Sequence, residues 1–412
     1  MPNYYYFSMP LIKLGAVIFI IILLLWKKVE LWVVLLIGSL FAALLYLMPP
    51  LDILKTVLIT AKSHTTLRVL GIIIMVMILG SVMKSGAILR VLNKGLSSLL
   101  RSRLLQYIVP PALIGLLPMP GGALVSAPMV DEIDTENNLT PEQKTYINFW
   151  YRHIWEYFWP LYPGLVVAAS IMNVEIRELS LNQWLFTPLA IFIGIPFMLR
   201  FNLKAKGSTI PFKPMSILYI LYGLSPIILI IILYLVLNIP ILISLLIVTA
   251  GTYGYLVIRK RITPFSFWKD MKWKTLLVIF FVFYFKNIME LSGGLSTISQ
   301  YTGGITGKII VFILFPFMVG FLTGVNQAYV AISFPLLQTF LLNTPHWIYL
   351  NGILVAYVSG FAGVLISPAH LCLVLSREYF GANMNGVYKY LIPSTMIILL
   401  GAIIVFLAGV VS

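Results

Sequence analysis

Apolar runs long enough to cross a bilayer recur from one end of this 412-residue chain to the other. A hydrocarbon core about 30 Å thick needs about 20 apolar residues in helical form. Candidate spans lie at roughly 9–26, 31–48, 67–83, 184–200, 215–237, 239–258, 275–292 and 387–410. The chain is 60% hydrophobic and 10% charged, with a mean hydropathy of +0.99. A soluble domain of this size has no means of hiding so much apolar surface, so the chain reads as an all-α polytopic membrane protein. The net charge of +15 does not argue for nucleic acid as a partner, because Lys and Arg cluster between the apolar runs, where they orient spans in the lipid bilayer. Cys372 is the single cysteine, so no intrachain disulfide forms. The opening "MPNYYYFSMP" lacks the basic start of a cleaved signal peptide.

Two further segments, 141–174 and 346–378, are long but interrupted. Thr140-Pro141-Glu142-Gln143 is a capping box with proline at the first helical position, so a helix starts there. The first segment should break at "WPLYPG", where Pro160 and Pro163 lack N–H donors, and the second at "ISPAH", around Pro368. Segments 105–129 and 307–338 carry turn-forming residues at their centres, and each half is too short to span. Both read as re-entrant hairpins that enter and leave on one face.

The two halves of the chain match. Gly115 and Gly320 are offset by 205, as are Pro163 and Pro368, and "VMKSGAI" at 82–88 resembles "IMELSGGL" at 288–295. The expected units are therefore 1–205 and 206–412, each with five spans and one hairpin. Five is odd, so the second unit enters the membrane inverted, which is the plan of many secondary transporters. Alternating the loops across ten spans places 19 basic residues on one side and 7 on the other. The richer side is then cytoplasmic, and both termini lie outside the cytoplasmic membrane.

Ten spans, two hairpins and two broken helices resemble the ion-transporter superfamily, which includes permeases for citrate, dicarboxylates and gluconate. The "LLPMPGGALVSAP" stretch resembles a prokaryotic membrane family of that group with no assigned substrate. The resemblance implies an elevator mechanism, with a scaffold, usually dimeric, and a mobile unit holding hairpins and broken helices. The Ser-Asn-Thr motif of the sodium–dicarboxylate branch is absent. The tips read Pro120-Gly121-Gly122 and Gly324-Val325-Asn326-Gln327 instead, so neither substrate nor coupling ion carries over.

Hairpin tips and helix breaks expose backbone groups that lipid cannot satisfy, so they must line a polar cavity. Helix N-termini suit an anion there, and freed carbonyls and hydroxyls suit Na⁺. The substrate-binding candidates are Pro120, Gly121, Gly122 and Ser126 at one tip, and Thr323, Asn326 and Gln327 at the other. The breaks add Tyr162 and Pro163, and Ser367, Pro368 and His370. Na⁺ would sit near Gly121, Asn326 and Ser367. Asn148, Arg152 and Glu156 are spaced by four, as on one helical face, and His153 lies three before Glu156. Arg152, His153 and Glu156 are the candidates for coupling to Na⁺ or H⁺. A plain Arg152–Glu156 ion pair, or placement near the cytoplasmic surface, is the competing structural expectation, and the aromatic residues around them read as packing.

No catalytic motif is complete. His153-Ile154-Trp155-Glu156 lacks the second histidine of a zinc-protease helix, and no Walker sequence is present. The expectation is a non-enzymatic secondary transporter for a small organic anion, driven by Na⁺ or H⁺. An amino acid, another zwitterion or an inorganic oxyanion is the alternative cargo. A membrane scaffold or an intramembrane enzyme is the alternative of another class.

Overall fold

The computed structural model describes residues 3–411, apart from 101, 120, 135–137, 204–213, 295–308 and 342–343. The expected tip residue Pro120 and the first two residues of segment 307–338 therefore lie outside the described residues. Among the described residues there is no strand. Six helices among those residues are long and apolar enough to cross a membrane, and shorter apolar helices accompany them. The chain is an all-α, multi-pass membrane protein.

The first half comprises α1 (Asn3–Trp26), α2 (Leu31–Leu45), α3 (Pro50–Lys62), α4 (His64–Ser85) and α5 (Ile88–Leu99). It continues with α6 (Arg103–Gly115), α7 (Ala123–Ile133), α8 (Pro141–Arg152), α9 (Pro163–Ile171), α10 (Ile176–Gln183) and α11 (Phe186–Leu199). The second half comprises α12 (Met215–Ile231), α13 (Ile241–Ile258) and α14 (Trp273–Leu291). Then follow α15 (Phe315–Thr323), α16 (Asn326–Leu341), α17 (His346–Leu365), α18 (Leu371–Phe380) and α19 (Met384–Val411).

The helices pack in two sets. In one, α2 lies on α14, α4 on α13 and α5 on α12, so each contact joins the two halves of the chain. In the other, α6 and α7 pack on α8, α15 packs on α17, and α8 and α9 meet α18 and α16 from the opposite half. Small residues allow the closest approaches. A Cβ on Gly115 would come within 2.1 Å of the Arg152 carbonyl oxygen, and one on Gly320 within 2.1 Å of the Gly360 carbonyl oxygen. Both glycines are thus required by backbone contact between a hairpin arm and a broken helix.

The capping box at the start of α8 forms as expected. Gln143 N–H donates to Thr140 Oγ1 at 3.3 Å, and Thr140 N–H donates to Gln143 Oε1 at 3.0 Å. The end of α8 differs from expectation. The helix stops at Arg152, eight residues before Pro160, and a turn-rich segment runs to Tyr162. Asn148, Arg152 and Glu156 therefore do not share one helical face.

Hydrogen bonding to α6 explains the early stop. The last turn of α6 leaves carbonyls without helical donors, as every helix end does. Trp155 Nε1 donates to Ala112 O at 2.7 Å, Trp159 Nε1 donates to Leu116 O at 3.0 Å, and the Tyr162 hydroxyl donates to Gly115 O. Trp155 and Trp159, expected only to pack, and Tyr162, expected at the binding site, are thus caps for the neighbouring helix. The two prolines expected to mark equivalent breaks also differ in position. Pro163 is the first residue of α9, where a missing N–H costs nothing. Pro368 stands between α17 and α18, three residues before α18 begins.

Candidate functional site

A cavity of about 500 Å³ lies between the two packing sets. One wall comes from the start of α2, the middle of α4 and the start of α14. The other comes from both hairpin tips and both helix breaks, represented by Met119, Arg152, Tyr162, Asn326 and His370. The N-terminal ends of α9, α16 and α18 all open on this space, at Tyr162–Pro163, Asn326 and His370. Their unpaired N–H groups carry partial positive charge.

Arg152 ends α8 and is 2% exposed. Its Nη2 donates to Met119 O at 2.9 Å and its Nη1 to Cys372 Sγ at 3.3 Å, while Nε has no partner. Among the described residues it makes no ion pair with Glu156, so the expected structural pairing does not form. Glu156 is held by the other half of the chain. Asn326 Nδ2 donates to its Oε2 at 2.5 Å, and its Oε1 lies 3.6 Å from His153 Nε2. Tyr357 donates to the Glu156 backbone carbonyl at 3.1 Å, which fixes the turn that carries it.

The two histidines meet. His153 Nε2 and His370 Nε2 are 3.1 Å apart. His153 Nδ1 lies 2.5 Å from Phe149 O, and His370 Nδ1 lies 2.8 Å from Gly324 O. A carbonyl only accepts, so both Nδ1 atoms carry the proton. Gly324 has φ +64° and ends α15 in the left-handed form, which turns its carbonyl toward His370.

Of the residues expected to form the site, Arg152, His153, Glu156, Tyr162, Pro163, Asn326, Gln327 and His370 line this one cavity. Gly121 and Gly122 line a smaller neighbouring cavity of about 130 Å³, beyond Met119, together with Asp270 and Lys84. Gly121 has φ +75°, the left-handed turn that glycine favours. Ser126 turns back on its own helix, toward Gly122 O and Ala123 O, and Thr323 donates to Val319 O at 2.8 Å. Ser367 is fully buried and accepts from Ala369 N–H, and Pro368 is exposed. Of the three residues expected around Na⁺, only Asn326 lines the main cavity.

Sequence reasoning missed Cys372, two residues after His370, and Glu30 and Lys274 on the facing wall. A His-x-Cys spacing was the one available signal for Cys372. Lys274 Nζ donates to Glu30 Oε1 at 2.5 Å, and this bond, with a second from Trp32, holds the Glu30 carboxyl below its usual range. The pair ties the loop before α2 to the start of α14 at the edge of the cavity.

Over residues 8–411 the chain matches the family model described as "Protein of unknown function (DUF401)". It belongs to the DUF401 family. No curated protein matches it. The DUF401 match runs through both hairpins and both breaks, so every residue of the cavity described above falls within it.

Proposed function

We propose that this DUF401 chain is a secondary active transporter that carries a small organic anion across the cytoplasmic membrane. The observation that carries the reading is Arg152: a guanidinium 2% exposed, on the cavity, with Nε unpartnered and no carboxylate bound. A buried charge is costly until it is paired. An anionic ligand supplies the missing charge, and three helix N-termini favour the same sign.

The transport reading also draws on the arrangement of the chain. The hairpins α6–α7 and α15–α16 and the broken helices α8–α9 and α17–α18 recur in the same order in both halves. The paired close approaches at Gly115 and Gly320 support an inverted repeat of ten spans with two re-entrant hairpins. A cavity between two helix sets supports an elevator in the manner of the ion-transporter superfamily. The set holding α2, α4 and α14 would be the scaffold, probed as a dimer, and the set holding the hairpins would move. Glu156 and the His153–His370 pair are the groups proposed to couple transport to H⁺; Na⁺ is the alternative ion. A zwitterion is the second cargo, because Glu156 shares the cavity with Arg152.

Counterflow in proteoliposomes tests the class. Preloaded carboxylates should drive uptake of the labelled compound, and Arg152→Gln should abolish it. Absence of exchange with any ligand that binds would favour a scaffold or an intramembrane enzyme instead. A thermal-shift screen of metabolites with and without Na⁺ supplies the compounds, since a ligand of the folded state raises its apparent stability.

A further inference from the structure

We infer that His153, His370 and Cys372 form a binding site for a single transition-metal ion of the zinc class. Their ligand atoms all lie within 4.8 Å of one another, and all three residues are buried. His153 and His370 stand 217 positions apart in the chain, one beside the end of α8 and the other capping α18. The fold therefore brings His153 from the end of α8 to the His370–Cys372 pair at the start of α18.

The tautomers make the case. Each histidine gives its Nδ1–H to a backbone carbonyl, so each Nε2 presents a lone pair to the other at 3.1 Å. Two facing lone pairs at that distance repel unless a positive centre lies between them. A carbonyl bound to the far ring nitrogen is also the usual outer partner of a metal-ligating histidine, because it fixes the ring and the tautomer. Zinc bonds of about 2.0–2.1 Å to nitrogen at tetrahedral angles put the two nitrogens about 3.3 Å apart. The observed separation needs an adjustment of only a few tenths of an ångström.

Cys372 decides between a metal and a shared proton. A proton between two imidazoles has no use for a third donor, whereas two nitrogens and one sulfur are a zinc donor set. Arg152 is the evident objection, since its Nη1 lies 3.4 Å from His153 Nε2. Two anionic groups answer it. The same Nη1 donates to Cys372 Sγ, the partner a thiolate takes, and Glu156 Oε1 is 3.6 Å from His153 Nε2. Three protein ligands leave a fourth position, as in zinc sites that engage a small molecule. The metal site stands without the transport reading; should both hold, the open position and Arg152 would take the same anion.

Cobalt is the probe. The full chain, purified without an affinity tag of histidines and stripped by chelator, is titrated with Co²⁺ and followed by its visible and near-ultraviolet absorption. The expected result is one Co²⁺ per chain, tetrahedral bands with a thiolate-to-cobalt charge-transfer band, and displacement by Zn²⁺. Cys372→Ser should lose the charge-transfer band, and His370→Ala should weaken binding at least about tenfold, the loss that even outer-shell changes produce. His64→Ala, at a histidine remote from the cluster, should change neither. Absence of the bands in wild-type protein overturns the site without recourse to any variant. So does a charge-transfer band that survives in Cys372→Ser.

Discussion

Asn326, the first residue of α16, donates its side-chain amide to the carboxylate of Glu156 at 2.5 Å, across 170 positions of sequence. The bond ties the second hairpin tip to the first helix break. Losing a hydrogen bond to a buried charged group costs about 1–3 kcal/mol. Asn326→Ala should lower the unfolding temperature in detergent accordingly, and Asn326→Asp, which sets a second carboxylate against Glu156, should lower it further. Equal unfolding temperatures for all three proteins would show that the bond contributes nothing.

Gly115 and Gly320, paired by the proposed repeat, each leave an added Cβ only 2.1 Å from a backbone oxygen, too close for any side chain. Gly115→Ala and Gly320→Ala should both destabilise by about 1–3 kcal/mol or more, as overpacking does. Gly251 and Gly254 have nothing within 4 Å of an added Cβ. In those helical positions alanine should be neutral or stabilise by about 0.5–1 kcal/mol. Thermal unfolding of the four variants reads the contrast, and a tolerant Gly320 beside an intolerant Gly115 would break the equivalence.

An added Cβ at Gly122 meets the Arg152 guanidinium, 2.5 Å from Nη2, before it meets any ligand. The guanidinium is the far end of a long side chain and can move aside. Gly122→Ala should therefore stay folded while weakening ligand binding, because Arg152 is displaced from its place on Met119 O. Ligand-induced thermal shifts measure this; an undiminished shift in Gly122→Ala and in Arg152→Gln would remove Arg152 from the site.

Glu156→Gln keeps a hydrogen-bond acceptor for Asn326 but removes the charge. Under the H⁺-coupled reading, uptake driven by a pH gradient should be lost while exchange of substrate across the membrane persists. Full pH-driven uptake in the variant would leave Glu156 a purely structural acceptor.

The proposed inversion is tested from the two sides of the membrane. Asn137 and Asn343 lie outside the described residues, so the probes belong at Glu132 and Pro345, both exposed. Cysteine at 132 should react with an impermeant reagent only from the cytoplasm, and cysteine at 345 only from outside. Labelling of both from one side would refute the inverted repeat.

Much of this architecture was legible in the chain, because its determinants are local. Apolar run length specifies a multi-pass helical protein, since lipid leaves each backbone group to be satisfied within the segment. The Thr140–Gln143 capping box specified where α8 begins, and Gly121 specified a left-handed turn, because each acts over a few residues. Where α8 ends was decided by tertiary contact. Nothing near Arg152 in the sequence stops a helix; the carbonyls of α6 do, by drawing Trp155, Trp159 and Tyr162 out of helical register. The cavity has the same origin. Arg152 and Cys372 are 220 positions apart, His153 and His370 are 217, and Glu156 and Asn326 are 170. No period or motif encodes such distances. They follow from the packing of α8 and α9 on α18 and α16, which is settled by the fit of side chains and close backbone approaches across the two halves.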